Sequence, residues 1–311
     1  MLSPYSHKHG QRITTDSPAV ACDRAFLAHF QIPDTKAPAA SSNGIHAAMN
    51  LSAVAQAITT GITNPAVARN IRIAGNVAGI NGKVKITGTN YAGKVISEEL
   101  TANGTTAVDG ALAFKTVSKI DLPLQVHTPV AQVETATVVG TITTAGNASV
   151  TVTSALFEAD EEITVAVALN DNASAIAGKM RTALAANANI SAHFAVSGAT
   201  DKIILTAKVP AANDTTLNIA IANDTSAGIT DAASSANTTA GVVTDSVSVG
   251  WGDIFGLPYL LTHNTVLKTY YDGTEEATAP TVVVDVDELE KNTIDINSSI
   301  AGKQIDIYLI V

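Results

Sequence analysis

From about residue 51 the chain alternates apolar and polar positions with a period of two, the pattern of half-buried strands, and turn residues recur between the runs. Asn70-Ile-Arg-Ile-Ala74 alternates, Asn81-Gly82 is a tight-turn pair, and Lys83-Val-Lys-Ile-Thr-Gly-Thr89 alternates again, which predicts an antiparallel hairpin. Residues 94–100 and 111–120 continue the pattern on either side of Asn103-Gly104 until Leu122-Pro123 stops it, so the simplest arrangement is an antiparallel meander. Further on, 137–143 and 148–153 read as strands joined at Ala145-Gly-Asn147, followed by strands at 162–168, 194–196, 202–206 and 217–221. One stretch has helical spacing instead. Ala173, Ile176, Ala177, Met180 and Leu184 share a face, and Asp171-Asn172 before them supplies N-cap chemistry. Residues 282–286 and the terminal 304–311 return to strand, and an apolar strand at the end of a chain must be paired or it leaves an aggregation-prone edge.

Residues 1–50 lack this order. Pro4, Pro18, Pro33 and Pro38 interrupt them, and only 21–30 has the spacing of a short helix. They read as an extended N-terminal arm whose apolar residues Phe26, Leu27, Phe30 and Ile32 are too few for a core but enough to anchor on a neighbouring chain. Removing residues 2–48 is then expected to leave a folded protein.

Composition shifts twice more. Residues 137–241 are dominated by Ala, Thr, Asn and Val and end in the polar tract Ala232-Ala-Ser-Ser-Ala-Asn-Thr-Thr-Ala-Gly241, a linker or loop by composition. Residues 242–311 regain aromatics, with Trp251, Phe255, Tyr259, Tyr270, Tyr271 and Tyr308. The fold class expected is mainly β: an antiparallel β-sandwich or barrel-like domain split over 51–136 and 242–311, with a small α+β module inserted at 137–241. The cluster of Trp251, Phe255 and Tyr259 is expected to be structural, its rings folded inward by the glycines beside them.

With 46% apolar residues the 311-residue chain can bury a core, but only 15% are charged, so its surface is neutral and small. Lys and Arg number 18 against 28 Asp and Glu, a net charge of -10, which argues against a phosphate-neutralising protein and hence against nucleic acid as a partner. A single cysteine, Cys22, excludes an internal disulfide and a multi-cysteine zinc site. No run approaches the roughly 18 apolar residues of a membrane span, and the N-terminus has no signal-like apolar stretch, so a chain that stays in solution in a cytosol is expected.

Candidate chemistry is sparse. Of the seven histidines only His7-x-His9 has ligand-like spacing, and the acidic runs Glu158-Ala-Asp-Glu-Glu162 and Asp285-Val-Asp-Glu-Leu-Glu290 lack the glycine-centred loop of a calcium site. There is no nucleophile elbow, P-loop, zincin motif or dinucleotide fingerprint, and aromatics at 4% are few for a sugar cleft. Catalytic residues, metal ligands and cofactors are therefore not expected.

Two groups of runs are specific without being chemical. The first is Gln56-Ala-Ile-Thr-Thr-Gly-Ile-Thr-Asn-Pro65, Ala68-Arg-Asn-Ile-Arg-Ile73, the stretch from Val84 to Glu99, and Thr105-Thr-Ala-Val-Asp-Gly-Ala-Leu-Ala-Phe-Lys-Thr-Val117. The second is Trp251-Gly-Asp-Ile-Phe-Gly-Leu-Pro-Tyr259, Asn292-Thr-Ile-Asp-Ile-Asn297 and Ile307-Tyr-Leu-Ile-Val311. Together they resemble tailed-bacteriophage virion structural proteins, over about 50–136 and 242–311, and the insert resembles a small Ala/Thr-rich module of phage structural proteins. The resemblance implies a place in the virion rather than a reaction. Its leading form is a capsid decoration or cement protein on the outer head surface, assembled in the host cytoplasm, with the phage major capsid protein and copies of itself as partners. The acidic balance suits a surface facing solvent rather than packaged DNA, and the insert then projects outward. The alternatives are a tail tube or head-tail connector subunit, a bacterial surface or adhesion module, and a polysaccharide-binding or hydrolysing spike.

Overall fold

Alternation along Arg69–Gly75 sends Ile71 and Ile73 to one face, and alternation along Lys83–Thr89 does the same for Val84 and Ile86. All four side chains are buried, in one cluster, and this sets the architecture: the two strands lie in different sheets packed face to face. The structure is a computed structural model describing residues 12–14, 21–23, 26–298 and 300–311. Strands hold 47% of it and helices 9%, so the mainly β class read from the alternation is correct. The chain divides into two units, one of residues 1–126 and 245–311, the other of 127–244.

The first unit is built around the long strand Ser246–Gly256, which pairs antiparallel with Arg69–Gly75 on one edge and with Ser41–Asn50 and Thr293–Asp295 on the other. Against this sheet packs a four-stranded one, ordered Gln56–Ile58, Thr116–Leu122, Lys83–Thr89, Val95–Thr101. A third sheet of four strands runs Thr274–Glu275, Val266–Tyr271, Ile305–Ile310, Leu27–Ile32 and buries Ile305, Ile307 and Leu309 against Phe255, Leu257 and Ile294. The terminal strand is thus paired on both edges. The hairpin predicted at Asn81-Gly82 does not form, because Lys83–Thr89 pairs instead with Val95–Thr101 and Thr116–Leu122. The hairpin turn is at Asn90, whose Oδ1 accepts from the amides of Ala92 and Lys94 at 2.9 and 3.1 Å.

Residues 26–50 differ from an extended arm. They hold two strands of this unit, with Ile32 and Ile45 fully buried, and the helix expected over 21–30 is replaced by the strands Ala21–Asp23 and Leu27–Ile32. Arg69 fastens the connection between Leu27–Ile32 and Ser41–Asn50. Its buried guanidinium donates to the carbonyl of Pro38 at 2.7 Å and to Asp253 Oδ1 at 3.3 Å, and lies 4.9 Å above the Phe255 ring. Desolvation pushes its pKa down to about 10 against the pull of Asp253. Phe255 is buried as expected, whereas Trp251 is only half-buried. Its ring covers Gly44, where a Cβ would come within 2.6 Å of it, and its Nε1 donates to the carbonyl of Ala39 at 3.1 Å.

The second unit contains the helix where its spacing placed it, Ala173–Ala186. Asn172 Oδ1 accepts from the amide of Ala175 at 3.0 Å, and Ile176, Ala177, Met180 and Leu184 are buried. Its strands pair non-locally. Gly140–Thr144 joins Ala227–Ile229, and Gly146–Thr153 joins Glu161–Val167 and Asn218–Asn223, so the predicted hairpin at 145–147 is absent. The polar tract read as a linker contributes the exposed edge strand Ala236–Thr239 beside Val133–Thr137. Because Val133–Thr137 pairs with Lys202–Ala207, and Val130 and Val242 exchange backbone bonds of 3.0 and 2.9 Å, the insert begins at 127 and ends at 244 rather than at 137 and 241.

Glu134 in that strand is 2% exposed. Ser235 Oγ donates to its Oε1 at 2.5 Å, while Oε2 has no partner, and burial pushes its pKa above the ordinary 4.5. The folded value is raised, so its stabilising contribution is complete below the unfolded value and is lost as pH rises through the folded one. The stability of wild type relative to Glu134→Gln is therefore expected to increase as pH falls from 7 towards 4.5, measured by urea unfolding followed by circular dichroism. A difference that stays flat with pH sinks this assignment.

Candidate functional site

The strand Leu27–Ile32 positions the residues singled out from the sequence. It alternates: Ala28, Phe30 and Ile32 turn toward the third-sheet core, and Leu27, His29 and Gln31 turn outward. It pairs with Ile305–Ile310 in the register Ile305↔Ile32 through Ile310↔Leu27. Just beyond it, Phe26 and Val311 exchange reciprocal backbone bonds of 3.0 and 2.9 Å. Bonded pairs alternate with unbonded ones in an antiparallel ladder, so Ala28, Phe30 and Ile32 bond inward and the N–H and C=O groups of Leu27, His29 and Gln31 point away from the sheet. The amide of Ile310 bonds to Thr265 on the opposite side at 3.1 Å, as this alternation requires. Among the described residues no strand lies beyond Leu27–Ile32, so the sheet ends in an open edge.

The outward side chains form a connected array. Asp306 Oδ1 lies 2.7 Å from His29 Nε2 and accepts from Gln31 Nε2 at 3.0 Å, and its Oδ2 accepts from Gln304 Nε2 at 2.9 Å. Burial works to raise the Asp306 pKa, but the bonds from Gln304, His29 and Gln31 outweigh it and hold the carboxyl below its usual range. The His29 ring stacks on Tyr308 at 4.6 Å and 4°, and Tyr270 meets Tyr308 at 5.7 Å and 85°. Tyr308 is thus flanked by rings from the strands on both sides. At the end of this face Leu27 is 67% and Ile310 37% exposed, and Leu267 is exposed at the register break between Val266 and Lys268.

Of the four arm residues, the structure keeps Ile32 wholly in the core and Phe30 packed against it, half-buries Phe26 beside Val311, and leaves Leu27 exposed. Only Leu27 is therefore largely open to a partner. The residues that accompany it, His29, Gln31, Tyr308 and Ile310, were missed by the sequence reading, although alternation along 27–32 and 305–310 carried the signal.

The remaining chemical candidates serve the fold. Glu161 accepts from Asn189 and Asn187 at 2.7 and 2.9 Å, bonds that lower its pKa. Asp285 accepts from the amides of Asp287 and Glu288, both at 2.9 Å, and buried Glu290 accepts from Asn90 at 2.9 Å and Lys94 at 3.2 Å. A cleft of about 450 Å³ is lined by Tyr271, Asp272, Glu275, Glu276, Ser298 and Lys303. Its groups engage one another: Ser298 Oγ donates to Glu276 at 2.8 Å and Lys303 lies 4.8 Å over the Tyr271 ring. No group of three or more metal-ligating side chains occurs among the described residues, and no helix among them is long and apolar enough to cross a membrane. His7 and His9 lie outside the described residues. Comparison with protein-family models, curated proteins and solved structures finds no match.

Proposed function

We propose that this chain is a non-catalytic structural protein of a tailed-phage virion, a decoration or cement protein that binds the major capsid protein on the outer head surface and stabilises contacts between capsomers. The observation that carries the reading is the exposed apolar row of Leu27, Ile310 and Leu267 beside the His29–Tyr308–Tyr270 array, on the sheet that also holds the last strand. Apolar residues grouped on one face beside an aromatic array suit a docking face. The resemblance of 50–136 and 242–311 to virion proteins names the partner class, and the net charge of -10 suits a position away from packaged DNA. The open edge favours a second reading, a tail tube or connector subunit, in which strands pair from one subunit to the next around a ring.

The test is co-sedimentation of the full chain with purified heads and, separately, with tails that lack it. Binding to heads is expected, with Leu267→Lys/Ile310→Lys binding at least about tenfold more weakly at unchanged thermal stability. Binding to tails alone transfers the protein to the second reading. Binding to neither particle removes the virion assignment, and full head binding by the double variant removes this face from it.

A further inference from the structure

Sheet edges are normally protected, because a row of unpaired N–H and C=O groups templates another strand; short strands, charges, prolines, bulges and coverings are the usual devices. The other long edges of this protein carry them. Val95–Thr101 has Glu98 and Glu99, Glu161–Val167 opens with two glutamates, and Ser41–Asn50 has two register breaks against its partner. Asn218–Asn223 is covered: Ile221 exchanges bonds of 2.8 Å with Ala232, and the amides of Ile219 and Asn223 bond to Ser235 and Asp231. Among the described residues Leu27–Ile32 has none of these. It is six residues long, regular along its whole register, free of Lys, Asp, Glu and Pro, and its outward positions are Leu27, His29 and Gln31.

We infer that this edge pairs with the same edge of a second copy, joining two third sheets into one continuous antiparallel sheet across a twofold axis at His29. The hydrogen-bonding pattern fits this occupant. With the axis at His29, Leu27 faces the partner's Gln31, His29 faces the partner's His29, and Gln31 faces the partner's Leu27. Every outward N–H and C=O then meets an outward group of the other chain, and each pair closes both of its backbone bonds. Moving the axis along the strand either brings inward-bonded residues opposite outward ones or shortens the ladder. No fixed like charges oppose each other across the axis, which matters for two chains that each carry a net charge of -10. The dimer leaves the outer face of both sheets open, side by side. The inference stands without the virion assignment, and it makes the second reading's ring a competing outcome, since a ring pairs unlike edges.

Sedimentation equilibrium of the full chain is expected to give twice its 31.8 kDa. His29→Lys keeps a hydrogen-bond donor for Asp306 but brings two ammonium groups together at the axis, so it is expected to be monomeric with an unchanged circular dichroism spectrum. In a Cys22→Ser background, His29→Cys is expected to cross-link into a dimer on mild oxidation, because bonded antiparallel partners lie about 5.5 Å apart, within disulfide reach. Gln31→Cys is expected not to, since the two copies of residue 31 are then about 13 Å apart at 3.3 Å per residue. A monomeric mass, a mass above the dimer, a dimeric His29→Lys or equal cross-linking at 29 and 31 overturns the inference.

Discussion

Deletion of residues 2–48 is expected to abolish folding of the first unit and to leave the unit of 127–244 with its own unfolding transition. The deleted segment includes Ile32 and Ile45, both buried completely, and at about 1.5 to 3 kcal/mol each their burial alone supplies about 3 to 6 kcal/mol. Its loss strips one neighbour from the terminal strand over six paired positions and uncovers the long strand Ser246–Gly256 along the register of Ser41–Asn50. Arg69 loses the Pro38 carbonyl and keeps a buried charge beside Asp253, and Trp251 loses both Gly44 beneath its ring and the Ala39 carbonyl at its Nε1. Domains of this kind are stable by about 5 to 15 kcal/mol in total, so the burial loss alone takes a large share of that margin, and the unpaired strand edges and the buried Arg69 charge add to it. Urea unfolding of the truncated chain, followed by the fluorescence of its single tryptophan, checks this. A cooperative transition of Trp251 fluorescence in the truncated chain would falsify the claim and restore the arm.

The reason an arm was expected lies in what prolines do at different places. Pro33 and Pro38 stand between Leu27–Ile32 and Ser41–Asn50, where they end one strand and precede the next rather than preventing either. Alternation within 27–32 is plain in hindsight, but its partner, 305–310, lies at the other end of the chain, and no local rule joins the two. The same distinction runs through the fold. The helix Ala173–Ala186 was legible because cap, spacing and burial are all local to it, and the strands were legible because alternation is local. Pairing was not: Asn103-Gly104 lies in a turn and Asn81-Gly82 does not, and the strands beside both separate into different sheets, because face-to-face burial of Ile71, Ile73, Val84 and Ile86 outweighs adjacency.

The candidate site was half legible for the same reason. Leu27 is an exposed apolar residue that breaks the alternation of its own strand, and that anomaly could be read from the sequence alone. The array around Asp306 could not, because His29 and Gln31 reach it from the far end of the chain. Buried polar residues were the least legible class. Nothing in Asn292-Thr-Ile-Asp-Ile-Asn297 distinguishes its first asparagine from its last, and the structure gives them opposite roles.

Asn292→Ala is expected to destabilise the first unit by about 3 to 6 kcal/mol, whereas Asn297→Ala is expected to cost under about 1 kcal/mol. Asn292 is 0% exposed and its amide is used fully: Nδ2 donates to the carbonyls of Asp285 and Glu288 at 2.8 and 3.0 Å, and Oδ1 accepts from the amides of Leu261 and Asp285, both at 3.3 Å. Its own carbonyl accepts from the amide of Leu257 at 2.8 Å, which sets the chain beside Phe255 and the third-sheet core. Truncation takes this partner from the Asp285 carbonyl and from the amides of Leu261 and Asp285, at about 1 to 3 kcal/mol for each group that stays buried, while the Glu288 carbonyl keeps the amide of Lys291 at 3.1 Å. Asn297 is exposed and makes one bond, to the carbonyl of Ala279 at 2.7 Å, which water can replace. Urea unfolding of the two variants, read by tryptophan fluorescence, separates them. An Asn292→Ala midpoint as close to wild type as that of Asn297→Ala would mean that the loop of 285–288 and the chain at 257–261 are held by something other than this amide.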